Sequence, residues 1–355
     1  MIIALIVDPK AFCRDNFTKL HSQNALVLVR GLKHNAIMLV DSKNIMTEQL
    51  KANIKSLPQK LLSKIFVELL DGGWKNKKYI IPCLDFDYNQ NFNFVTLYKK
   101  IKDSANTQYL DAIIANDDAL KSLCSARIIG KEVVPLSAYI LSNIEEKRYN
   151  YSKFSETLDK IHLDKAKELI SRCLWHTKKL SFFDNIIGAK LVTKKNGNNI
   201  KINENASACH LQKWLDGLSY ILKLWHENDY PKSEPKTINI YTGELFFWKT
   251  KDEKWNAFYK KHKNIRLEAK EFINERLIAP LKIKFPWCNN INLHVKKDPE
   301  NIFRDRHLQT DNFIVNFSKG FDFLKKNGEF KRIYISIKTD VASDLQDIRE
   351  LEEIN

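Results

Sequence analysis

The feature that most restricts what this chain can fold into is a rhythm in its first 140 residues. Short, almost wholly apolar runs alternate there with segments of helical period. "IIALIVD" (2–8), "KKYIIPCLDF" (77–86), "DAIIAND" (111–117) and the start of "EVVPLSAYILSNIEEKR" (132–148) read as strands. Between them, "TEQLKANIKSLPQKLLSKIFVELL" (47–70) places Leu50, Ile54, Leu57, Leu61, Leu62, Ile65 and Leu69 on a common helical face, with Thr47 or Ser42 as its cap. "FVTLYKKIKDSA" (94–105) and "ALKSLCSARIIG" (119–130) read as helices, and the apolar run in "KLHSQNALVLVRGLKHN" (19–35) suits strand or helix. Strands that are apolar on both faces and alternate with helices imply a parallel α/β sheet covered on both sides.

The rhythm lapses into polar and aromatic residues at "RYNYSKFSE" (148–156), which puts a domain boundary there and gives domains 1–148 and 156–355. A chain of 355 residues suits two domains. The second half also reads as α/β. "DKAKELISRCLWHTKKLSFFDNIIGAKLV" (164–192) is expected to be helical, and the polar stretch 193–207 to be hairpin-like. A long helix then carries Trp214, Leu218, Leu222 and Trp225 at helical spacing, a stripe that suits core better than a base-stacking platform. Strands are expected at 237–245, 291–297, 306–311, 313–318 and 332–338, a long basic helix at 255–281, and a helix start at "GFDFLKK" (320–326).

Charge narrows the partners. The net charge is +15, about +6 over residues 1–150 and +9 over the rest, so the excess is spread and not confined to a tail. Such a field favours a polyanion, nucleic acid first, although a Lys-rich proteome from an AT-rich genome gives the same excess. The longest apolar runs are far shorter than the roughly 18 residues a membrane span needs. The N-terminus is expected to be a buried first strand and not a signal peptide. Six cysteines without a CxxC pair fit reduced thiols in a cytoplasmic protein.

Functional groups of open parallel sheets collect at the carboxyl ends of strands. Asp8, Asp117 and Asp118 end strands, Asp111 opens one, and Glu48 lies on a helix. Carboxylates that converge repel one another unless a hard divalent cation neutralises them, and such a cluster activates water against phosphodiesters. Each Asp taken singly also suits a cap or turn. "LIVDPKAF", Glu48 after "NIMTE", and "LDAIIANDDAL" resemble the PIN-domain nucleases, a Rossmann-like family, over residues 1–145. The resemblance implies catalytic acids at Asp8, Glu48, Asp111 and Asp117, with Mg²⁺ or Mn²⁺ held by Asp8, Asp111 and Asp117. Asp41 competes with Glu48, and Asp118 with Asp117. Asp85 and Asp87 have no role in that pattern.

"FRDRHLQTDNFIVNFSKGFDFL" (303–324) resembles the phospholipase D-like domain found at the C-terminus of MIT-domain proteins, with coverage of about 160–340. Members that cleave phosphate need a His-x-Lys pair in each half. Gln309 stands two residues after His307, and no second pair is read, so a non-catalytic binding domain is implied. Arg304 and Arg306 would fork phosphate oxygens, with Lys319 and Gly320 forming a turn a phosphate or partner approaches. The competing reading pairs Arg306 with Asp322 or Asp305 as architecture. His176, Lys178 and Lys179 form a surface cluster, and Cys209-His210 is too isolated for a metal site.

Together these readings imply a cytoplasmic, metal-dependent nuclease for RNA or DNA, of a toxin-like or phage-defence kind. A protein partner or homo-oligomer is compatible with them. The rivals are a non-catalytic nucleic-acid- or protein-binding scaffold, favoured if the four acids lie apart, and a phosphodiester transferase using the second domain.

Overall fold

The computed structural model describes residues 3–34, 36–72, 80–105, 107, 110–141, 155–157, 163–175, 177–188, 191–195, 199–227, 235–243, 264–288, 290–297, 306–311, 313–318, 320–329, 331, 334–338 and 345–354. The chain divides into two compact units, Met1–Phe154 and Ser155–Asn355. Both are α/β.

The first unit carries a five-stranded, all-parallel sheet in the order β3-β2-β1-β4-β5. Its strands are β1 (Ile3–Val7), β2 (Ala36–Asp41), β3 (Ile80–Leu84), β4 (Ala112–Ala115) and β5 (Val133–Pro135). Every residue of β2 and β4 is buried, as expected where helices cover both faces. The helices are α1 (Lys19–His34), α2 (Ile45–Ser56), α3 (Lys60–Leu70), α4 (Phe94–Asp103) and α5 (Ala119–Ser125). The apolar run "ALVLV" falls within α1, because Ala25, Leu28, Val29 and Leu32 recur at helical spacing and are all buried. Leu26, which only a strand reading would bury, is 49% exposed. The strand on that side of β1 is "AIMLVD", which begins two residues after α1 ends.

The chain winds from β1 outward to β2 and β3, then returns to add β4 and β5 on the other side. The order therefore reverses between β1 and β4, whose carboxyl ends lie side by side. Crevices at such reversal points are where open α/β sheets bind ligands.

The second unit holds a mixed seven-stranded sheet in the order β11-β10-β7-β12-β13-β14-β6. Its strands are β6 (Ser155–Thr157), β7 (Lys179–Phe183), β10 (Thr237–Gly243), β11 (Asn290–Lys296), β12 (His307–Gln309), β13 (Ile314–Phe317) and β14 (Tyr334–Lys338). β7, β10 and β11 run parallel, and the remaining neighbours pair antiparallel. A separate hairpin joins β8 (Val192–Lys195) to β9 (Asn199–Ile202). The region 164–192 is not one helical stretch. A helix covers Leu163–Leu174, and β7 follows, with Leu180, Phe182 and Phe183 fully buried. Nor does a helix begin at Gly320, where the chain turns instead and φ is +70°. The helix Glu204–Glu227 buries Trp214, Leu218, Leu222 and Trp225, so that stripe is core. In the stretch expected to be one basic helix, the described part runs Asn264–Ile273, a π-helical turn Asn274–Ile278, and Ala279–Lys284. Among the described residues, no helix is long and apolar enough to cross a membrane.

Candidate functional site at the carboxyl edge of the first unit

β1 stops at Asp8 because Pro9 follows, and the chain turns into a 3-10 helix, Pro9–Phe12. The Asp8 backbone N–H still donates to the Ile114 carbonyl of β4 at 2.8 Å, so the residue is anchored to the sheet. Asp8 Oδ1 accepts from the Lys10 N–H at 3.0 Å, which caps the turn. Asp8 Oδ2 is buried and has no hydrogen-bond partner. Burial pushes the carboxyl up to about 6, against the opposing pull of the Lys10 N–H and the Lys10 charge.

On the neighbouring strand end, Asn116 Oδ1 is likewise buried without a partner. The next residue, Asp117, joins the sheet edge to α1. Its Oδ2 lies 3.0 Å from His21 Nε2, and its Oδ1 is 3.4 Å from the Ser137 N–H. Partial burial acts to raise its pKa. The Ser137 hydroxyl, the nearby His21 and the Ser137 N–H outweigh that and hold it below the usual carboxylate value.

His21 owes its position to the start of α1. Thr18 Oγ1 accepts from the His21 N–H at 3.4 Å, while the Thr18 N–H donates to His21 Nδ1 at 3.0 Å. This is a reciprocal capping box, with His in the place Glu or Gln usually fills. Because Nδ1 accepts a backbone proton, the neutral ring carries its own proton on Nε2 and donates it to Asp117. One turn further along α1, Asn24 Nδ2 donates to the carbonyls of Leu136 and Ser137 at 2.7 and 2.8 Å, which ties the segment after β5 to the same helix.

A cavity of about 370 Å³ opens here, lined by Ala11, Asp15, Phe17, Thr18, His21, Asn116, Asp117 and Asp118. Its lining bears three carboxylates and one imidazole, so its field is acidic in a protein whose overall charge is basic.

Of the four acids expected to converge, Asp8 and Asp117 follow the adjacent, paired strands β1 and β4. The other two do not join them. Asp111 precedes β4 at the amino edge. It exchanges bonds with Ala4, its N–H donating to the Ala4 carbonyl at 2.9 Å and its Oδ2 accepting from the Ala4 N–H at 2.9 Å. Ala4 and Asp8 are four residues apart on β1, so Asp111 lies about 13 Å from the Asp8 end at ~3.3 Å per residue. Glu48 is exposed on α2 and pairs with Lys51 at 2.9 Å. Asp41 caps α2 through the N–H groups of Ile45 and Met46, and Asp118, exposed at the start of α5, pairs with Lys121. Asp87 pairs with Lys43, and Asp85 accepts from the Ser104 hydroxyl and the Ala105 N–H, which ties the end of β3 to the end of α4. Among the described residues, no three His, Cys, Asp or Glu side chains are grouped to hold a metal.

In the second unit, Arg304, Asp305 and Lys319 lie outside the described residues, as does His176. Arg306 is engaged internally. Its Nη1 donates to the Ser318 carbonyl at 2.9 Å, and its Nε lies 3.7 Å from Oδ1 of Asp184. Asp184, fully buried just after β7, also accepts from the Ile186 N–H, from Trp214 Nε1 at 3.1 Å and from the Phe321 N–H. The partner of Arg306 is therefore Asp184 and not Asp322, which pairs with Lys331. Burial pushes Asp184 up to about 6, with the Ile186 N–H and Arg306 among the groups that oppose it.

Arg306→Gln is expected to strand that carboxylate and lower stability by about 2–4 kcal/mol at pH 8. At pH 5, below the folded pKa, Asp184 is mostly protonated, so the loss should be visibly smaller. Urea melts at the two pH values check this, and an equal loss at both would remove Asp184 as the cause.

His21, Asn116 and Asp184 went unread in the sequence. The signals available were Thr18-x-x-His21 at a helix start, Asn116 directly before Asp117, and Asp184 after "SFF" in the same strand-end position as Asp8. A His-x-Lys spacing also stands at His294 and Lys296 on β11. Both side chains are held by the protein itself, His294 by Glu353 and Asn239, and Lys296 by the carbonyls of Arg349 and Leu351. Comparison with protein-family models, with curated proteins and with solved structures finds no match.

Proposed function

We propose that the first unit is a PIN-like, metal-dependent nuclease whose working site is Asp8, Asn116 and Asp117. The second unit, in this reading, is a phospholipase D-like binding domain without chemistry of its own. The observation that carries the reading is the pair of partnerless buried oxygens, Asp8 Oδ2 and Asn116 Oδ1, on adjacent strand ends at the reversal point. A buried acceptor left without a donor is costly, and a hard oxygen-seeking cation is the group that relieves it. Mg²⁺ or Mn²⁺ held there would polarise a phosphoryl oxygen and lower the pKa of bound water.

The residues of the chain do the rest. Asp8 supplies a charged oxygen and Asn116 a neutral one. Asp117 adds a second carboxylate, whose orientation His21 fixes and whose lowered pKa keeps it ionised. The basic excess of the chain favours a polyanion, and the carboxylates of the cavity would repel it unless a bound cation offset them.

A scaffold that binds nucleic acid without cutting it is the second reading, and the outward placement of Glu48 and the amino-edge placement of Asp111 favour it. Incubating the purified chain with labelled RNA and DNA, with Mn²⁺ and with chelator, separates the two. Cleavage that needs Mn²⁺, survives Glu48→Gln and is lost in Asn116→Ala is expected. Nucleic acid retained but uncut under every condition would leave the scaffold.

A further inference from the structure

Most polar groups around the cavity beside α1 are already engaged by the fold. His21 is held by Thr18 and Asp117, Asp117 is shared between His21 and the Ser137 N–H, and Asp118 pairs with Lys121. Asp15 is different. It is exposed on the turn Arg14–Asn16, lines the cavity, and forms no hydrogen bond or ion pair among the described residues. Two residues on, Phe17 is the one large apolar side chain among the described residues of the lining. Its N–H donates to the Arg14 carbonyl at 3.2 Å. Its ring lies 5.8 Å from that of fully buried Phe12 and 5.7 Å from that of His21, tilted by 31° and 32°. The side chain is half-buried, so packing fixes the ring while part of it stays open.

The chemistry of an occupant follows from these groups. A fixed aromatic ring beside a polar cavity is a stacking platform for an unpaired base. At about 370 Å³ the cavity lies at the small end of ligand pockets and suits a single nucleoside. Three carboxylates in the lining repel phosphate, so the part of a nucleic acid that enters is the neutral part, base and sugar. Asp15 only accepts hydrogen bonds, so the base must donate to it. Guanine presents two adjacent donors, N1–H and the N2 amino group, which one carboxylate accepts together. Adenine and cytosine set an amino group beside an acceptor nitrogen, and uracil sets one N–H between two carbonyls. An arginine side chain offers the same fork as guanine, but a chain of net charge +15 repels a basic peptide and attracts the polyanion that carries the base.

We propose that this cavity is a subsite for one unstacked guanosine of the substrate, its base lying on Phe17 and donating from N1–H and the N2 amino group to Asp15. The inference rests on the nuclease reading of the same cavity and adds a base preference to it. Asn116 and Asp117 serve the cation and the phosphate, and Phe17 and Asp15 select the neighbouring base. A guanine within a duplex keeps its faces stacked and its donors paired, so cleavage falls beside unpaired guanosines.

The test uses the full chain in chelator and the four nucleosides in equilibrium dialysis, so that binding is read without the cation. Guanosine should bind about tenfold more tightly than uridine. Phe17→Leu, which keeps an apolar contact with Phe12, should weaken guanosine about tenfold. Asp15→Asn should bring the four nucleosides within about threefold of one another. Melting curves establish that both variants are folded. With Mn²⁺, cuts in mixed-sequence oligonucleotides should cluster beside unpaired G for wild type and scatter for Asp15→Asn. Wild-type cuts without base preference, or guanosine affinity unchanged in folded Phe17→Leu, would overturn the inference and leave the nuclease standing. Guanosine bound through Phe17 and Asp15 without cleavage under any condition would uphold the subsite and remove the nuclease. N-Acetylargininamide bound more tightly than guanosine would make the occupant a basic side chain and overturn the inference.

Discussion

Asp8→Asn should lower Mn²⁺-dependent cleavage by on the order of 10³-fold, equivalent to about 4 kcal/mol of transition-state stabilisation. It should at the same time raise the stability of the first unit. Asn keeps an oxygen for the Lys10 N–H, so the turn after β1 stays capped, but it removes the buried charge. The sign follows from the raised pKa of Asp8, about 6 in the folded state against 3.8 for the free group. Between those values the folded protein binds more protons than the unfolded one, so stability falls as pH rises from about 4 to 6 and stays low above that. The ceiling on the gain at pH 7 is about 3 kcal/mol, from two pKa units at ~1.36 kcal/mol each. Relaxation around the group will realise only part of it. Wild type and variant should therefore converge in stability near pH 4 and separate by pH 7. A variant that loses cleavage and stability together would mark Asp8 as architecture, and one that retains cleavage would move the chemistry elsewhere.

The opposed effects explain why Asp8 was legible in sequence while its surroundings were not. A carboxylate directly after "ALIV" and before Pro9 violates local economy, because a strand that apolar has no need of a charge at its buried end. Asp111 was grouped with Asp8 and Asp117 by the family pattern, although it opens its strand where they end theirs, and in a parallel sheet that order puts it at the amino edge. One residue on the wrong side of "AIIA" places a carboxylate at the opposite edge of the sheet. Glu48 failed for a different reason, since a helical residue faces the site only if its phase allows it. The buried face of α2 is Met46, Thr47, Leu50 and Ile54, and Glu48 is off that face beside Lys51.

The α/β class was legible because buried parallel strands are written as continuous apolar runs. β2 was lost because its six residues follow a richer run in α1, and only the burial of Ala25, Leu28, Val29 and Leu32 on one face resolves which is helix. β7 was lost inside a segment read as helical, and with it Asp184. The arginine run at 304–306 was conspicuous in sequence, yet what Arg306 meets was not. Its partner lies 122 residues earlier in the chain, at the end of that unread strand.

Gly217 gives a second large expected effect on the second unit, beside that of Arg306. It sits inside the helix Glu204–Glu227, where glycine is normally a weakness, and replacing it by alanine in an open helix would gain about 1 kcal/mol. Here a Cβ would fall 1.8 Å from the carbonyl oxygen of Phe321 and 3.0 Å from its carbon. Those are backbone atoms, so no rotamer change can relieve the clash. The Phe321 backbone has little room to withdraw. Its N–H donates to Asp184 Oδ2, and its ring packs edge-on against Phe182 with centroids 5.0 Å apart. Preceding it, Gly320 has φ +70° and lies so close to Asp184 and Arg306 that a Cβ there would meet Asp184 Oδ2 at 2.2 Å. Helix, turn, buried carboxylate and arginine are therefore one packed unit, and a helix displaced at Gly217 disturbs all four. Overpacking against a fixed backbone costs on the order of 3 kcal/mol, which outweighs the propensity gain. Gly217→Ala should lower the unfolding free energy of the second unit by a net ~2 kcal/mol, read as a lower urea midpoint, and Gly217→Val by more. The first unit's transition should stay in place, and an Ala variant as stable as wild type would show that the helix and the Phe321 turn are free to separate.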